Sequence, residues 1–323
     1  MARSADERVS VFELEVPATM AFRDLVCNGL VAPLPGGGRT DERFALLTEI
    51  AERDLAVARL AEGHLDALAI LAEAGVEAPP DAVLGVWAAG GGLNPFSAVR
   101  TRCGWSLTGR KSYASGASAV THALVTARTA DGPRLFLVEA AGGITTVEGT
   151  WHAVGMRGSD SPDVEIEAIL PQEAAIGGVD WYLLRPGFWH GAIGVAACWL
   201  GGARAIARPL DHACSPHAFA HLGAVDAGLE GASTMVGCAA RAIDADPLLC
   251  GEESELRARR VRAVVEAAAT DVITRVGRAL GAGPLCHDAA HAQRVADLTV
   301  YLRQSHAEAD LERLGRLSLG AVG

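Results

Sequence analysis

The sequence predicts an α+β multidomain fold with an N-terminal helical region, a central antiparallel β barrel and a C-terminal four-helix bundle. Apolar residues recur at helical intervals in the first and last parts of the chain, whereas the middle carries short β-branched and aromatic runs separated by glycines. The length of 323 residues exceeds that of one typical domain. We therefore divide the chain into residues 1–82, 83–177 and 178–323.

The N-terminal region is expected to be helical throughout. A short helix is predicted around Met20–Cys27, followed by a turn-rich segment that contains three consecutive glycines. The next stretch repeats its apolar residues at helical spacing from Asp41 to Gly75. Asp41 is suited to cap its start, and Gly75 is suited to stop it. One or two helices are expected here, with a break near Gly63.

The middle region is expected to form a sheet. Its runs follow one another at a spacing of roughly ten residues, which is typical of antiparallel sheets and barrels and not of alternating strands and helices. The triple glycine Gly90–Gly92 lacks the G-x-G-x-x-G spacing of a dinucleotide-binding turn. The predicted strands are VLGVW, WSLTGRKSYAS, HALVTAR, RLFLVEA, GITTVEG and DVEIEAIL.

The C-terminal region is again helical in pattern. In the third of its four predicted helices, the valines and alanines fall on one stripe, as a bundle core requires. Four such helices suffice for an antiparallel bundle. They are predicted near residues 185–208, 219–244, 252–280 and 288–315.

Charge and cysteine usage exclude several classes of protein. A net charge of −11 argues against nucleic acid or an anionic membrane as the main partner, because both repel acidic proteins. The seven cysteines are scattered and never spaced as C-x-x-C, which favours free thiols in a reducing cytosol. Neither a signal peptide nor a membrane span is apparent. We expect a cytoplasmic protein with a small-molecule substrate.

Four segments carry a resemblance to a known family. In Trp105–Arg128 a G-x-K is followed by an aromatic, a small residue and a serine, and in Trp151–Pro171 a G-M-R-x-S-x-S turn precedes a strand. Arg185–Ala205 starts with Arg-Pro and continues with a stripe of small residues. The fourth segment, Gln293–His306, has the sequence of a long final helix. In content and order these segments resemble the acyl-CoA dehydrogenase superfamily, over most of the chain.

This resemblance implies an FAD cofactor. Tyr113, Ala114 and Ser115 correspond to the segment that lies along the flavin ring, with Ser115 near the N5 atom and Tyr113 in place of the usual tryptophan. A flavin needs such a flat wall with fixed dipoles that meet the charge arising on reduction. Ala88 and Ala89 stand where the family usually has T-E-P, so only backbone contacts to the flavin are implied there.

The adenine half of the cofactor is implied to involve a second subunit. The family's Q-x-x-G-G-x-G stretch corresponds here to RALGAGP, in which Arg278 replaces the glutamine while Gly281 and Gly283 are retained. Because this stretch contacts the cofactor of a neighbouring subunit, the resemblance implies a homodimer or homotetramer. Pro216 stands where an arginine usually binds the pyrophosphate, which is a departure that bears on FAD affinity.

The catalytic residues depart further from the family. Dehydrogenation of an acyl thioester needs a carboxylate base to remove the α proton while a hydride leaves for the flavin. The usual Tyr-Glu-Gly is absent; His306 and Glu308 are the nearby groups able to take a proton, and the alternative explanation for both is a solvated helix face. Arg185 is implied to face the acyl-thioester cleft.

The expected function is FAD-dependent oxidation of an acyl thioester or a related CH–CH substrate, with a protein or oxygen as electron acceptor. A flavin-dependent monooxygenase of the same fold is one alternative, and a non-catalytic partner subunit is another. The segment HDAAH places His287 and His291 four residues apart, as in a zinc-binding helix, but aspartate replaces the glutamate that activates water. We therefore assign no metal.

Overall fold

The computed structural model describes residues 16–89, 96–212 and 214–320; the triple glycine Gly90–Gly92 lies outside these ranges. Within them the chain forms ten α-helices and eight β-strands. The helices are α1 Ala18–Cys27, α2 Thr40–Arg53, α3 Leu55–Glu73, α4 Trp181–Leu184, α5 Gly187–Ala207, α6 Pro216–Ala245, α7 Glu252–Leu280, α8 Gly283–His287, α9 Ala289–Tyr301 and α10 Glu308–Gly320. The strands are β1 Leu84–Trp87, β2 Ser97–Thr101, β3 Gly104–Lys111, β4 His122–Thr129, β5 Gly132–Glu139, β6 Ile144–Val147, β7 Asp163–Leu170 and β8 Ala175–Ile176.

The break between α2 and α3 lies at Asp54, not near Gly63 as the sequence predicted. The Asp54 carboxylate accepts the backbone N–H of Val57 at 2.8 Å and so caps the start of α3. Gly63 lies inside α3, where a glycine costs about 1 kcal/mol relative to alanine. The packing of α3 on both sides outweighs that cost, so the helix continues through it.

The start of α2 is capped by another helix. The Asp244 carboxylate of α6 accepts the backbone N–H groups of Gly38 and Thr40, each at 3.0 Å. The prediction that Asp41 caps this helix was therefore wrong, because a carboxylate distant in sequence satisfies the free N–H groups. This contact ties the N-terminal helices to the bundle.

The strands form one open sheet in the order β6-β7-β3-β2-β4-β5-β8, with β1 also paired to β4. The predicted antiparallel barrel is wrong in two respects, because the sheet is open and two of its strand pairs are parallel. β1 runs parallel to β4, and β2 meets β4 through a parallel pair at Ser97 and Arg128. Among the described strands, β6 and β8 have one partner each. Alternating apolar residues predict strands but not closure, which depends on how the edges meet.

Helices α5, α6, α7 and α9 pack around one apolar core that includes Trp199, Val261 and Leu298. The predicted fourth helix is divided: α9 ends at Tyr301 and α10 starts at Glu308. Extended backbone at Ser305 and the positive φ of 47° at Ala307 produce the break. None of the described helices combines the length and apolar character that crossing a membrane would need.

Helix α3 lies between the sheet and the bundle. Its Ile70 and Leu71 pack with Leu84 and Leu124 of the sheet, whereas Leu65 joins the bundle core. Two-sided burial explains why α3 contains so many apolar residues. It also places the polar side chains of Glu62 and His64 in the interior, between the two halves of the molecule. The three-domain division of the chain stays a prediction.

Candidate functional site

The segment Tyr113–Ser115, which we call the shelf, follows β3 in a fixed conformation. Tyr113 has a φ of 60° and is 65% exposed, while Ala114 is buried beneath it. The backbone N–H of Ala114 donates to Pro162 O at 2.9 Å, and the Trp87 indole donates to Ser115 O at 3.0 Å. The shelf is thus held from behind by hydrogen bonds and presents an exposed aromatic side chain.

A chain of serine hydroxyls supports the shelf. Ser161 Oγ donates to Ser115 Oγ at 2.9 Å and lies 2.8 Å from Ser159 Oγ. Ser159 Oγ in turn donates to Met156 O at 2.8 Å. Ser161 Oγ has one proton and three acceptors in reach, which are Ser115 Oγ, Ser159 Oγ and Ser159 O; when it donates to Ser115 Oγ, the Ser115 proton is free to donate to a ligand. Ser159 and Ser161 are both buried, which shields their hydroxyls from water.

The G-M-R turn that supplies these serines docks on α9. The backbone N–H of Met156 donates to Asp297, and Gln293 Nε2 donates to the same carboxylate at 2.7 Å. A Cβ added to Gly155 would lie 1.9 Å from Ala296 O, so only glycine permits this approach. Burial raises the pKa of Asp297 despite these hydrogen bonds. Helix α9 therefore positions the turn, and the turn positions the shelf.

Ala88 and Ala89 are bound to the sheet by their carbonyl groups. Lys111 Nζ donates to Ala89 O at 2.9 Å and to Thr126 Oγ1 at 3.0 Å. Thr126 Oγ1 donates to Ala88 O at 3.3 Å. Burial of Lys111 lowers its pKa to about 8, so its ammonium remains mostly protonated at neutral pH. Ala88 and Ala89 are held next to β3 and β4 as a result.

A small cavity separates the shelf from α3. Its lining combines a wall of β1 with one face of α3, and its polar side chains are those of Arg59 and Ser115. Arg59 Nη1 pairs with Glu62 Oε2 at 2.9 Å. Burial raises the pKa of Glu62 to about 7. The lining residues are Phe22, Arg59, Leu60, Gly63, Leu84, Gly85, Val86, Ser115 and Val120.

The sequence analysis missed this ion pair, although the sequence contains a signal for it. Arg59, Glu62 and Asp66 follow one another at intervals of three and four, which puts them on one face of α3. The other faces of this helix consist mainly of buried apolar residues. A charged stripe in such a helix indicates a polar interior site more strongly than it indicates a solvated surface.

Arg185 lies in the interior but not at the shelf cavity. Its guanidinium pairs with Glu73 at 2.7 Å and with Asp66 at 3.6 Å. It also stacks over the Tyr182 ring at 5.4 Å. These contacts join the end of α3 to the start of α5. Arg185 therefore occupies the helix start that the resemblance implied, with its charge paired to two carboxylates.

His306 and Glu308 are not brought together with the shelf. His306 is exposed over 81% of its side chain and lies 3.7 Å from Asp310. Glu308 is exposed at the first turn of α10, whereas Ser305 between the two helices is buried. The break between α9 and α10 turns this segment outward. Whether His306 or Glu308 takes a proton from a ligand on the shelf stays a prediction.

Arg278, Gly281 and Gly283 lie at the exposed end of α7. Gly281 has a φ of 68° and ends the helix. A Cβ added to Gly281 or Gly283 would meet no described atom within 4 Å. This end of α7 is therefore open to another molecule.

His287 and His291 do not form a helical metal pair. His287 ends α8, whereas Asp288 caps α9 through the backbone N–H of His291 at 2.9 Å. Over residues 16–89, 96–212 and 214–320, no cluster of three or more histidine, cysteine or acidic side chains is suited to a metal ion.

The residues of the shelf fit a flat heteroaromatic group. The Ser115 hydroxyl is hydrogen-bonded to Ser161 at 2.9 Å and can donate to a ligand, and the exposed Tyr113 stands two residues before it. Such a group needs a donor at its polar edge and apolar contact along its face. The positions of Tyr113 and Ser115 supply both.

Comparison with solved structures places this arrangement in a known fold. KijD3 in complex with dTDP has a TM-score of 0.80 at 20% identity, over 94% of this chain and 89% of that one. Glutaryl-CoA dehydrogenase from Mycobacterium smegmatis has a TM-score of 0.78 at 19% identity, over 95% and 87%. TdsC from Paenibacillus sp. A11-2, crystallised with FMN and indole, has a TM-score of 0.76 at 16% identity, over 94% and 95%.

No protein-family profile and no curated protein sequence matches the chain. The similarity to the solved structures thus lies in the fold. Together with the order of helices, sheet and helices along the chain, it shows that the protein has the fold that these structures share, glutaryl-CoA dehydrogenase among them.

Proposed function

We propose that the protein is a flavin-dependent oxidoreductase that acts on a small molecule, with the flavin ring on the shelf. The observation that carries this proposal is the Ser115 hydroxyl, which Ser161 Oγ holds at 2.9 Å in the same short segment as the exposed Tyr113. The similar structures add support, because TdsC was crystallised with FMN and XiaF from Streptomyces sp. with FADH2. The flavin would supply the capacity to accept or donate electrons that the side chains of the chain lack.

Each part of the site has a separate role in this proposal. Ser115 would donate a hydrogen bond to the polar edge of the ring. Ser161 would keep that hydroxyl oriented, and Asp297 would hold the turn that contains Ser161. A preorganised donor of this kind stabilises charge where it develops, without a reorganisation cost. Lys111 would hold Ala89 at the border of the same site.

Of the two finer reactions, the oxygen-dependent one has the better support. Acyl-thioester dehydrogenation needs a base beside the substrate, but His306 and Glu308 lie on the surface. A monooxygenase does not need that base. One similar structure is described as a dibenzothiophene monooxygenase and another as a nitrososynthase. Dehydrogenation stays the second candidate, because glutaryl-CoA dehydrogenase has the same fold and the interior contains the acid Glu62.

Flavin binding tests the proposal directly. Purified protein mixed with FMN or FAD should turn yellow after gel filtration, and the two affinities should be measured separately. The absence of an arginine at Pro216 favours FMN, which has no pyrophosphate. Protein that stays colourless with both flavins would support the alternative of a non-catalytic partner subunit. Once loaded and reduced, the enzyme should consume oxygen, whereas bleaching of the oxidised flavin by acyl-CoA would favour dehydrogenation.

We further propose a cytoplasmic homo-oligomer. The open end of α7 at Gly281 and Gly283 supports contact with a second copy, and the free cysteines suit a reducing compartment. Light scattering on the purified protein measures the mass directly. A monomer that binds flavin fully would contradict the expected role of this end of α7.

A further inference from the structure

A second cavity, much larger than the one beside the shelf, lies on the helical bundle. It is a groove of about 700 Å³ between the second half of α6, the first turns of α7 and the end of α10. Small-molecule sites commonly have volumes of about 300–1,000 Å³. None of its lining residues belongs to the shelf. We call this cavity the bundle groove, and its size admits a small organic ligand.

The floor of the bundle groove is aliphatic. Ala239 and Val261 are buried in it, as are Leu256 and Leu317. Ala239 and Ala242 are small, which gives the groove its depth along α6. The described lining contains no aromatic side chain on which a flat ring could stack. Because burial of methylene groups is favourable, this floor suits an alkyl chain.

Two arginines of α7 line the same groove. Arg257 is partly buried, and Arg260, one turn later, is exposed at the rim. The Nη1 group of Arg257 is shielded from water and has no hydrogen-bond partner among the described residues. A buried donor without an acceptor is unfavourable. An acceptor that enters the groove from outside the chain would remove this defect.

The acidic residues of the groove do not pair with these arginines. Glu252 binds Arg313 of α10 at 3.2 Å. Glu253 lies in the first turn of α7, where the helix dipole stabilises a negative charge. Within the described ranges neither Arg257 nor Arg260 forms an ion pair, and like charges one turn apart repel each other. In a chain with a net charge of −11, two such cations in one cavity favour an anionic ligand.

We propose that the bundle groove binds a small anionic amphiphile, whose carboxylate pairs with Arg257 and Arg260 while its alkyl chain lies on the aliphatic floor. Hydrogen bonds between a guanidinium and a carboxylate are among the strongest in proteins. The ligand class is an aliphatic carboxylic acid of medium chain length. Because the groove and the shelf share no residue, this proposal does not depend on the proposed flavin site.

Decanoate is a suitable probe, because it joins a flexible alkyl chain to a carboxylate that is ionised at neutral pH. Its binding to the full-length protein is measured by calorimetry. Decanol has the same chain without the charge, and acetate has the charge without the chain. Both should bind at least about tenfold more weakly, since each lacks one of the two contributions.

Cys238 makes the test specific to the groove. Its thiol lines the groove and is exposed, so bound decanoate should slow its alkylation by iodoacetamide severalfold. Cys103, which is exposed between β2 and β3, is the control within the same sample and should react at an unchanged rate. Mass spectrometry of the digested protein measures the two rates separately. Protection of Cys238 alone distinguishes the groove from binding of decanoate at the shelf.

Substitutions test the two contacts separately. Arg257→Met should weaken decanoate binding about tenfold, as expected for the loss of a charge-assisted hydrogen bond, and Arg257→Lys should weaken it less. Ala242→Phe fills the floor without a change of charge and should also weaken binding. Arg275→Met, at the other end of α7, is the matched control and should bind like the wild type. Melting temperatures show whether each variant is folded.

Several results would overturn the proposal. They are the absence of decanoate binding, binding that leaves Cys238 unprotected, equal affinities for decanol and decanoate, and a folded Arg257→Met variant that binds normally. A second copy of the chain in the groove would also contradict it. Cys238 would then resist alkylation without ligand and become reactive on dilution. These measurements need no flavin, so the proposed function survives each of these results.

Discussion

The Asp297 carboxylate of α9 accepts the backbone N–H of Met156 at the centre of the G-M-R turn. Through this bond a helix of the bundle fixes the turn of the sheet that contains Ser159 and Ser161. The hydroxyls of that turn then orient Ser115. The shelf is therefore positioned by contacts between two halves of the molecule, and its geometry depends on their packing.

Asp297→Ala should loosen the turn and weaken flavin binding. It leaves the buried N–H of Met156 without a partner, which costs about 1–3 kcal/mol. Urea unfolding should show this loss, and a flavin titration should show a several-fold weaker affinity. Asp297→Asn keeps an acceptor oxygen, so its losses of stability and of flavin affinity should be much smaller. Equal effects of Ala and Asn would contradict the role assigned to this oxygen.

His64 should make the protein less stable in acid. Its Nδ1 accepts the backbone N–H of Leu84 at 3.1 Å, and burial lowers its pKa to about 4. Because the folded state disfavours the protonated ring, this contribution is complete above pH 6.5 and is lost as the pH falls towards 4. Melting temperatures should fall over that window.

The matched comparison uses His64→Gln, which offers an acceptor oxygen but does not titrate. Its melting temperature should depend less steeply on pH between 6.5 and 4 than that of the wild type. His306→Gln, at an exposed position, should retain the wild-type slope. His190, whose pKa burial also lowers to about 4, contributes to the slope that remains, together with His291 and the buried acids Glu62 and Asp297. Identical slopes in wild type and His64→Gln would refute the assignment.

Arg185→Met should destabilise the fold by about 3 kcal/mol, because removing one partner leaves buried charge uncompensated. Glu73 and Asp66 would lose their common cation. Denaturant unfolding measures the effect, with Arg316→Met on the exposed face of α10 as the control. If Arg185 served mainly to bind substrate, its loss would change stability little.

Gly155→Ala should destabilise the contact between the turn and α9. The new methyl group would lie 1.9 Å from Ala296 O, and relieving such overpacking costs about 1–3 kcal/mol. Gly231→Ala in α6 meets no described atom within 4 Å and should raise stability by about 1 kcal/mol instead. In thermal unfolding, a lower melting temperature for Gly155→Ala and a higher one for Gly231→Ala would confirm the close approach of Gly155 to Ala296. A neutral Gly155→Ala would contradict it.

The elements themselves were largely predictable from sequence, since local patterns determine them. Helix α7 has the predicted bounds, and β7 matches the predicted run DVEIEAIL. Strand β2 was missed because Ser97–Thr101 holds few apolar residues, and β8 because it has only two residues. The open sheet was not predictable, because the pairing of β1 with β4 depends on distant contacts.

The residues of the candidate site also fall into those that local sequence predicts and those that depend on distant contacts. Tyr113 and Ser115 could be predicted as site residues because a contiguous motif contains them. The role proposed for Ser161 depends on a hydrogen bond to a residue 46 positions away, which no local pattern reveals. His306 and Glu308 were placed in the site on sequence order alone, and the break after Tyr301 turns them outward. Whether they take part in turnover stays a prediction.

The affinity of the shelf for flavin tests the account most directly. The dissociation constants of FMN and FAD should be measured for the wild type and for Ser115→Ala, Ser161→Ala and Ser118→Ala, where Ser118 is the exposed control. We predict a yellow wild-type protein, binding about tenfold weaker in the first two variants, as expected for the loss of about 1.4 kcal/mol, and no change in the third. A wild-type protein that stays colourless with both flavins, or binding that is indifferent to Ser115, would contradict it.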